Sequence, residues 1–141
     1  MINIGQGPLT EDLKEMCSEL YIKDKIFFLG NVPNDDVIRF LRECDFLVMT
    51  GEKIIFDLVI LEAMATGTSV IASKTGGNLE VIVDFENGYF VEPLSAETLA
   101  EMLIKVVPGQ VRDKAIKTAE RFSKPSMVNK YRELYRALII N

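Results

Sequence analysis

Apolar residues along this chain recur at two spacings, and the two spacings take turns. Short apolar runs bounded by turn residues read as strands, while runs spaced by three and four residues read as amphipathic helices. INIG (Ile2–Gly5) reads as a strand ending in the glycine turn GQGP. Thr10 then reads as an N-cap with Glu11 and Asp12 in the first turn, and Leu13, Met16, Cys17 and Leu20 follow at helical spacing. KIFFL (Lys25–Leu29) is a second strand, and Asn34 or Asp35 opens a helix with Val37, Ile38, Leu41 and Cys44 on one face. FLVM (Phe46–Met49) is the third strand, Asp57 to Thr66 a helix with Asp57 as N-cap and Gly67 as its stop, and SVIA (Ser69–Ala72) the fourth strand. Asn87-Gly88 signals a turn before the run YFVE, Ser95 caps a helix through Val106, and two helical patterns at about Gly109–Phe122 and Ser126–Ile139 close the chain. Strands alternating with helices argue for βαβ units. The expected fold is α/β and Rossmann-like, with a mostly parallel sheet carrying helices on both faces.

The length of 141 residues suggests one domain, 1–141, large enough for a substantial core. A net charge of −5 gives no basic field for nucleic acid or an anionic membrane, so no nucleic-acid partner is expected. The longest apolar runs are too short and too interrupted for a transmembrane segment. Cys17 and Cys44 have no CxxC spacing and read as free thiols, which suits a cytoplasmic protein. The absence of histidine removes Ser-His and Cys-His nucleophile pairs and histidine metal sites together, and no metal site is read elsewhere.

Chemistry concentrates where strands end. Ligands of an open parallel sheet bind beyond the carboxyl ends of its strands. Gly5, Gly7, Gly30, Thr50–Gly51 and Thr75–Gly76–Gly77 all stand at such ends. Glycine there either serves a turn or lets a ligand approach the backbone, and amides at helix starts suit phosphate. Glu62 lies in an apolar helix among Leu58, Val59, Leu61 and Met64, which should be mostly buried. Its carboxylate either bonds a ligand hydroxyl, such as a ribose diol, or pairs internally with a lysine or an amide. Glu80 and the pair Asp35-Asp36 read as capping or solvated carboxylates at helix starts.

These segments resemble the C-terminal, nucleotide-sugar-binding domain of family 4 retaining glycosyltransferases of the GT-B fold. GQGPLTEDLKEMCSELYIKDKIFFLGNVPNDDV is similar to that family's strand, glycine turn, helix and FLG-x-VP segment. CDFLVMTG is similar to its AD-x-F-x-x-PS strand, and LEAMATGTSVIASKTGGNLEVI matches its most specific block. NGYFVEP and RFS…YRELYRALI resemble the closing segments. The resemblance implies hydrogen bonds from Glu62 to a donor ribose and α-helical amides near Leu58 and Val59 facing a diphosphate. It places Gly30 and Val32 near the base, and Thr75, Gly76 and Gly77 beside the donor pocket. It implies transfer of a hexosyl group from a UDP-, GDP- or ADP-sugar with retention, in glycan biosynthesis, with no cofactor.

The chain departs from the family pattern at two residues and in its extent. Ile54 stands where the family has its first glutamate, and Asp57 where it has glycine. The family's first βα unit, with its cationic pair, and its acceptor domain are not seen ahead of INIG. The resulting expectation is the donor-binding half of a sugar-transfer enzyme, inactive alone. The alternative is a non-catalytic interaction or split-subunit module. Apolar surface left by the missing unit implies a homo-oligomer or an N-terminal-domain partner.

Overall fold

The computed structural model describes residues 1–52, 55–92 and 94–139. Its backbone divides into two compact units, Met1–Val37 and Ile38–Asn141. Every pair of neighbouring strands is parallel, as the alternating pattern requires, and the pairings fall in two sheets where one was expected.

In the first unit, strand β1 (Ile2–Ile4) pairs with β2 (Phe27–Gly30), with a register shift between Asn3 and Ile4. Helix α1 (Thr10–Glu19) connects them and buries Cys17, followed by a 3-10 turn at Lys23–Lys25. That turn takes Lys25 out of the expected strand, and β2 begins at Phe27. Thr10 does not cap α1 as expected. The helix begins at Thr10 itself, whose hydroxyl turns back to donate to the Gly7 carbonyl (2.8 Å) and accept the Gly7 amide (3.0 Å).

Helix α2 (Asn34–Glu43) has Asp35 and Asp36 in its first turn, where carboxylates complement the helix dipole. In the second unit, β3 (Phe46–Met49), β4 (Ser69–Ser73) and β5 (Tyr89–Val91) lie side by side in chain order. All five residues of β4 are buried, which explains why its sequence is a continuous run and not an alternation. Helix α3 (Leu58–Thr66) crosses from β3 to β4 and packs against β4 and against α6 (Arg112–Arg121). Small residues line the two helices, Ala63 and Ala115 being buried. The short α4 (Asn78–Val81) leads to β5, and α5 (Ala96–Lys105) packs back on it. Ser95 caps α5 as expected, its Oγ accepting the Thr98 amide at 3.1 Å. Ile71, Tyr89, Val91, Met102, Val106 and Val111 form the core of this unit, with Phe46 and Leu99 packed against it.

Helix α7 (Lys124–Ile139) starts two residues before Ser126, because a proline at position 125 is tolerated in a first helical turn. Helix α6 starts later than expected. Gly109, at φ +79°, turns the chain first, and the Arg112 amide bonds back to its carbonyl.

A candidate donor-binding site

The second unit brings two connections together at the carboxyl ends of β3 and β4. One runs from Gly51 to Asp57, ahead of α3; the other runs from Ser73 to Gly77, ahead of α4. Ser73 Oγ donates to the Gly51 carbonyl, Thr75 Oγ1 to the Glu52 carbonyl (3.1 Å), and the Gly77 amide to the Ile55 carbonyl (2.9 Å). A Cβ on Gly77 would stand 2.5 Å from the Ile55 oxygen and 2.7 Å from a Phe56 ring carbon. Gly77 therefore serves close backbone approach, with an ordinary helical φ of −63°. The Thr75 hydroxyl and the Gly77 amide are thus spent on the neighbouring connection. Gly76, exposed at φ +52°, remains the most open of the three.

Helix α3 answers the question posed by a glutamate in an apolar run. The expectation of a mostly buried helix holds for Ile60, Ala63 and Met64 and fails along one edge. Leu58 is 66% exposed, and Glu62, one turn further on the same side, is only half-buried. Glu62 has no hydrogen bond or ion pair among the described residues. Its carboxylate stays partly hydrated, and the cost of a buried charge does not arise.

Asp57 occupies the N-cap position of α3, as expected, with extended backbone (φ −104°, ψ 107°). Its side chain makes no capping hydrogen bond, which corrects the expectation that the carboxylate takes the helix's first amides. The Asp57 backbone carbonyl accepts the Ile60 amide at 3.2 Å, and the amides of Leu58 and Val59 have no acceptor among the described residues. Ile54 lies outside the described residues. Glu80 is exposed in the first turn of α4.

The other candidate residues lie in the first unit. Gly5 and Gly30 form an isolated antiparallel bridge, the Gly5 amide donating to the Gly30 carbonyl at 2.8 Å. The side-chain amide of Gln6 lies over Gly30. Gly7 is held by Thr10 through both its polar groups, so it serves a turn. Val32 is half-buried.

Sequence reasoning missed Ser73, Asn78 and the carbonyls of residues 51, 52 and 55. Asn78 is 1% exposed and its Nδ2 donates to the Ser73 carbonyl at 3.0 Å, while its Oδ1 is buried without a partner. No spacing signal marks a backbone carbonyl, and a single serine or asparagine beside a glycine pair reads as a turn.

Comparison with known proteins supplies the family. Residues 1–124 match the family described as glycosyl transferases group 1. An uncharacterised glycosyltransferase of Methanocaldococcus jannaschii is 33% identical over 100 residues, covering 71% of this chain and 26% of that protein. N-acetyl-alpha-D-glucosaminyl L-malate synthase of Bacillus anthracis is 29% identical over 141 residues, covering 96% of this chain and 36% of its own. The chain thus spans between about a quarter and two fifths of the length of the first curated relatives it matches. Among solved structures, the Anabaena protein HepE in complex with UDP-glucose superposes with a TM-score of 0.85 at 24% identity, over 96% of this chain and 40% of that one. Its parallel sheets with flanking helices are those of the Rossmann-like C-terminal half of GT-B glycosyltransferases. With the match running over most of its length, the chain belongs to the glycosyl transferases group 1 family.

Proposed function

We propose that this chain is the donor-binding half of a hexosyltransferase. It would hold a nucleotide diphosphate sugar while another surface presents the acceptor, and transfer would proceed with retention. One observation carries the reading. Among the described residues the first amides of α3, at Leu58 and Val59, have no acceptor, and the carboxylate of Glu62, one turn along the same helix edge, has no partner. Free amides at a helix start suit a diphosphate, and a half-hydrated carboxylate suits the hydroxyls of a ribose. The UDP-glucose bound in the HepE structure is consistent with this pairing. The reading takes UDP, GDP or ADP as the carrier, invokes no cofactor, and leaves acceptor recognition to the remainder of length that the relatives possess. On this basis the isolated chain transfers nothing.

Titration calorimetry of the chain with UDP, GDP and ADP tests the proposal. Saturable binding of one of them, weaker for its monophosphate, is expected. Failure of all three to saturate at millimolar concentration would overturn it.

A second reading is favoured by Asp57. Its half-buried carboxylate has no partner among the described residues and stands at the helix start that would meet the diphosphate. Two like charges ~4 Å apart at an effective dielectric of about 20 repel by roughly 4 kcal/mol, before screening by solvent. A chain keeping the fold but weakened in this way would serve as a non-catalytic module in a larger assembly. The same titration separates the two.

A further inference from the structure

The three contacts between the connections described above have a regular pattern. Donors at alternate positions, Ser73, Thr75 and Gly77, reach the carbonyls of Gly51, Glu52 and Ile55 in the same order along the chain. Strands β3 and β4 pair in parallel up to Met49 and Ala72. Beyond that point the backbone ladder stops and two side-chain hydroxyls and one amide continue it. Asn78 braces the donor side, with its Nδ2 on the Ser73 carbonyl. Ser73 and Asn78 are both at least 97% buried, so this edge is fixed from within the core.

The carbonyl side of these contacts leads directly into α3. Ile55 is three residues before Leu58, and Phe56 lies against Gly77 with no room for a methyl group. The direction of the Leu58 and Val59 amides is thus set by how Ile55 and Phe56 are seated. We propose that Ser73, Thr75 and Gly77 are positioning residues: they do not bind the donor, but stitch the β3–α3 connection so that the open amides of α3 converge on the diphosphate. The inference rests on the donor-site reading above. It reassigns Thr75 and Gly77 from pocket-lining residues to residues that act through α3, and leaves Gly76 as the member of the Thr-Gly-Gly run open to ligand. Preorganised amides bind an anion without reordering, so a small tilt of the helix start lowers affinity with little loss of packing.

The test compares the full chain with Thr75→Val, Thr75→Ser and Gly77→Ala, using backbone amide resonances without ligand and UDP affinity by calorimetry. Thr75→Val removes the hydroxyl at nearly constant shape and Thr75→Ser restores it. Expected are shifts at Ile55–Ile60 with unchanged β4 and β5 resonances in Thr75→Val and Gly77→Ala, and UDP affinity lowered about tenfold or more. Thr75→Ser should behave as the parent. Unmoved Leu58 and Val59 resonances in Thr75→Val, or a Thr75→Ser as impaired as Thr75→Val, would overturn the proposal, and neither depends on Gly77→Ala folding. If UDP binds neither the parent nor any variant, the donor-site reading falls and the proposal with it, while the resonances still decide whether the stitch orients α3.

Discussion

Three residues carry the clearest single-site consequences. Glu62 stands partly hydrated, with no partner among the described residues. Glu62→Gln should therefore leave stability within about 0.5 kcal/mol of the parent while weakening UDP binding. A chemical-denaturation curve shifted by several times that amount would show that the carboxylate is structural after all. Asp57 makes no cap, so Asp57→Asn removes charge without removing a helix hydrogen bond. It should tighten UDP binding about tenfold, or ~1.4 kcal/mol, with the effect shrinking as salt is added. Tyr89 is a different case. It is 2% exposed, its ring meets Phe85 edge-on with centroids 5.5 Å apart, and its hydroxyl has no partner among the described residues. Burying an unsatisfied hydroxyl costs about 1–3 kcal/mol, so Tyr89→Phe should raise the denaturation midpoint. Burial also raises its pKa above the ordinary tyrosine value of 10.0. The folded state then holds the proton more tightly than the unfolded chain. This contribution is complete below the unfolded value and is lost as pH rises through the folded one. Tyr89→Phe should flatten that alkaline decline.

At the level of elements, the helix ends decide how α3 and α5 sit. Gly67 ends α3 at φ +79°, its amide bonding Met64 and the Thr68 amide bonding Ala63. A Cβ there would lie 2.8 Å from the Arg112 guanidinium carbon. Gly67→Ala should cost about 1–3 kcal/mol from the left-handed backbone alone, plus whatever Arg112 must yield. Ser95→Ala removes the one side-chain cap on α5 and should cost about 1 kcal/mol, measurable as a lower denaturation midpoint at unchanged slope. The sequence made these two ends legible because each depends on a single residue type with one local job. It made β3 legible to the residue, since FLVM sits between turn signals. It did not make legible the start of α1, where Thr10 bonds backwards, or the bare cap at Asp57. Both look alike in sequence to a working cap, and what separates them is where the backbone enters the helix at Thr10 and which way the side chain turns at Asp57. The stitch from Ser73 to Gly77 was hidden for a related reason: half of each contact is a backbone carbonyl, which every residue carries.

For the molecule as a whole, the parallel pairing and the order of elements follow from the alternation of periods, and the division into two units does not. Periodicity reports which face of an element is covered and is silent on which elements share one core. Apolar side chains remain open in each unit. In the first, Leu13, Met16 and Phe27 are exposed. In the second, Phe122, Met127, Tyr131 and Leu134 line a groove of about 380 Å³ between α6 and α7. Exposed apolar surface of this kind favours association, so the isolated chain should self-associate at micromolar concentration. A single 15.9 kDa species in sedimentation would contradict this.

The order of β3, β4 and β5 in space repeats their order along the chain. The sheet of the second unit therefore extends outward in the sequence in which a ribosome delivers it. Each new strand finds its neighbour already made, but only after a helix has been threaded between them, and such non-local pairing is slow. Until Tyr89 to Val91 arrives, β4 presents an open edge that is apolar on both faces. Open edges recruit other chains. A nascent polypeptide that has emerged only as far as the turn at Asn87-Gly88 would expose Ser69–Ser73 with its partner strand still to come.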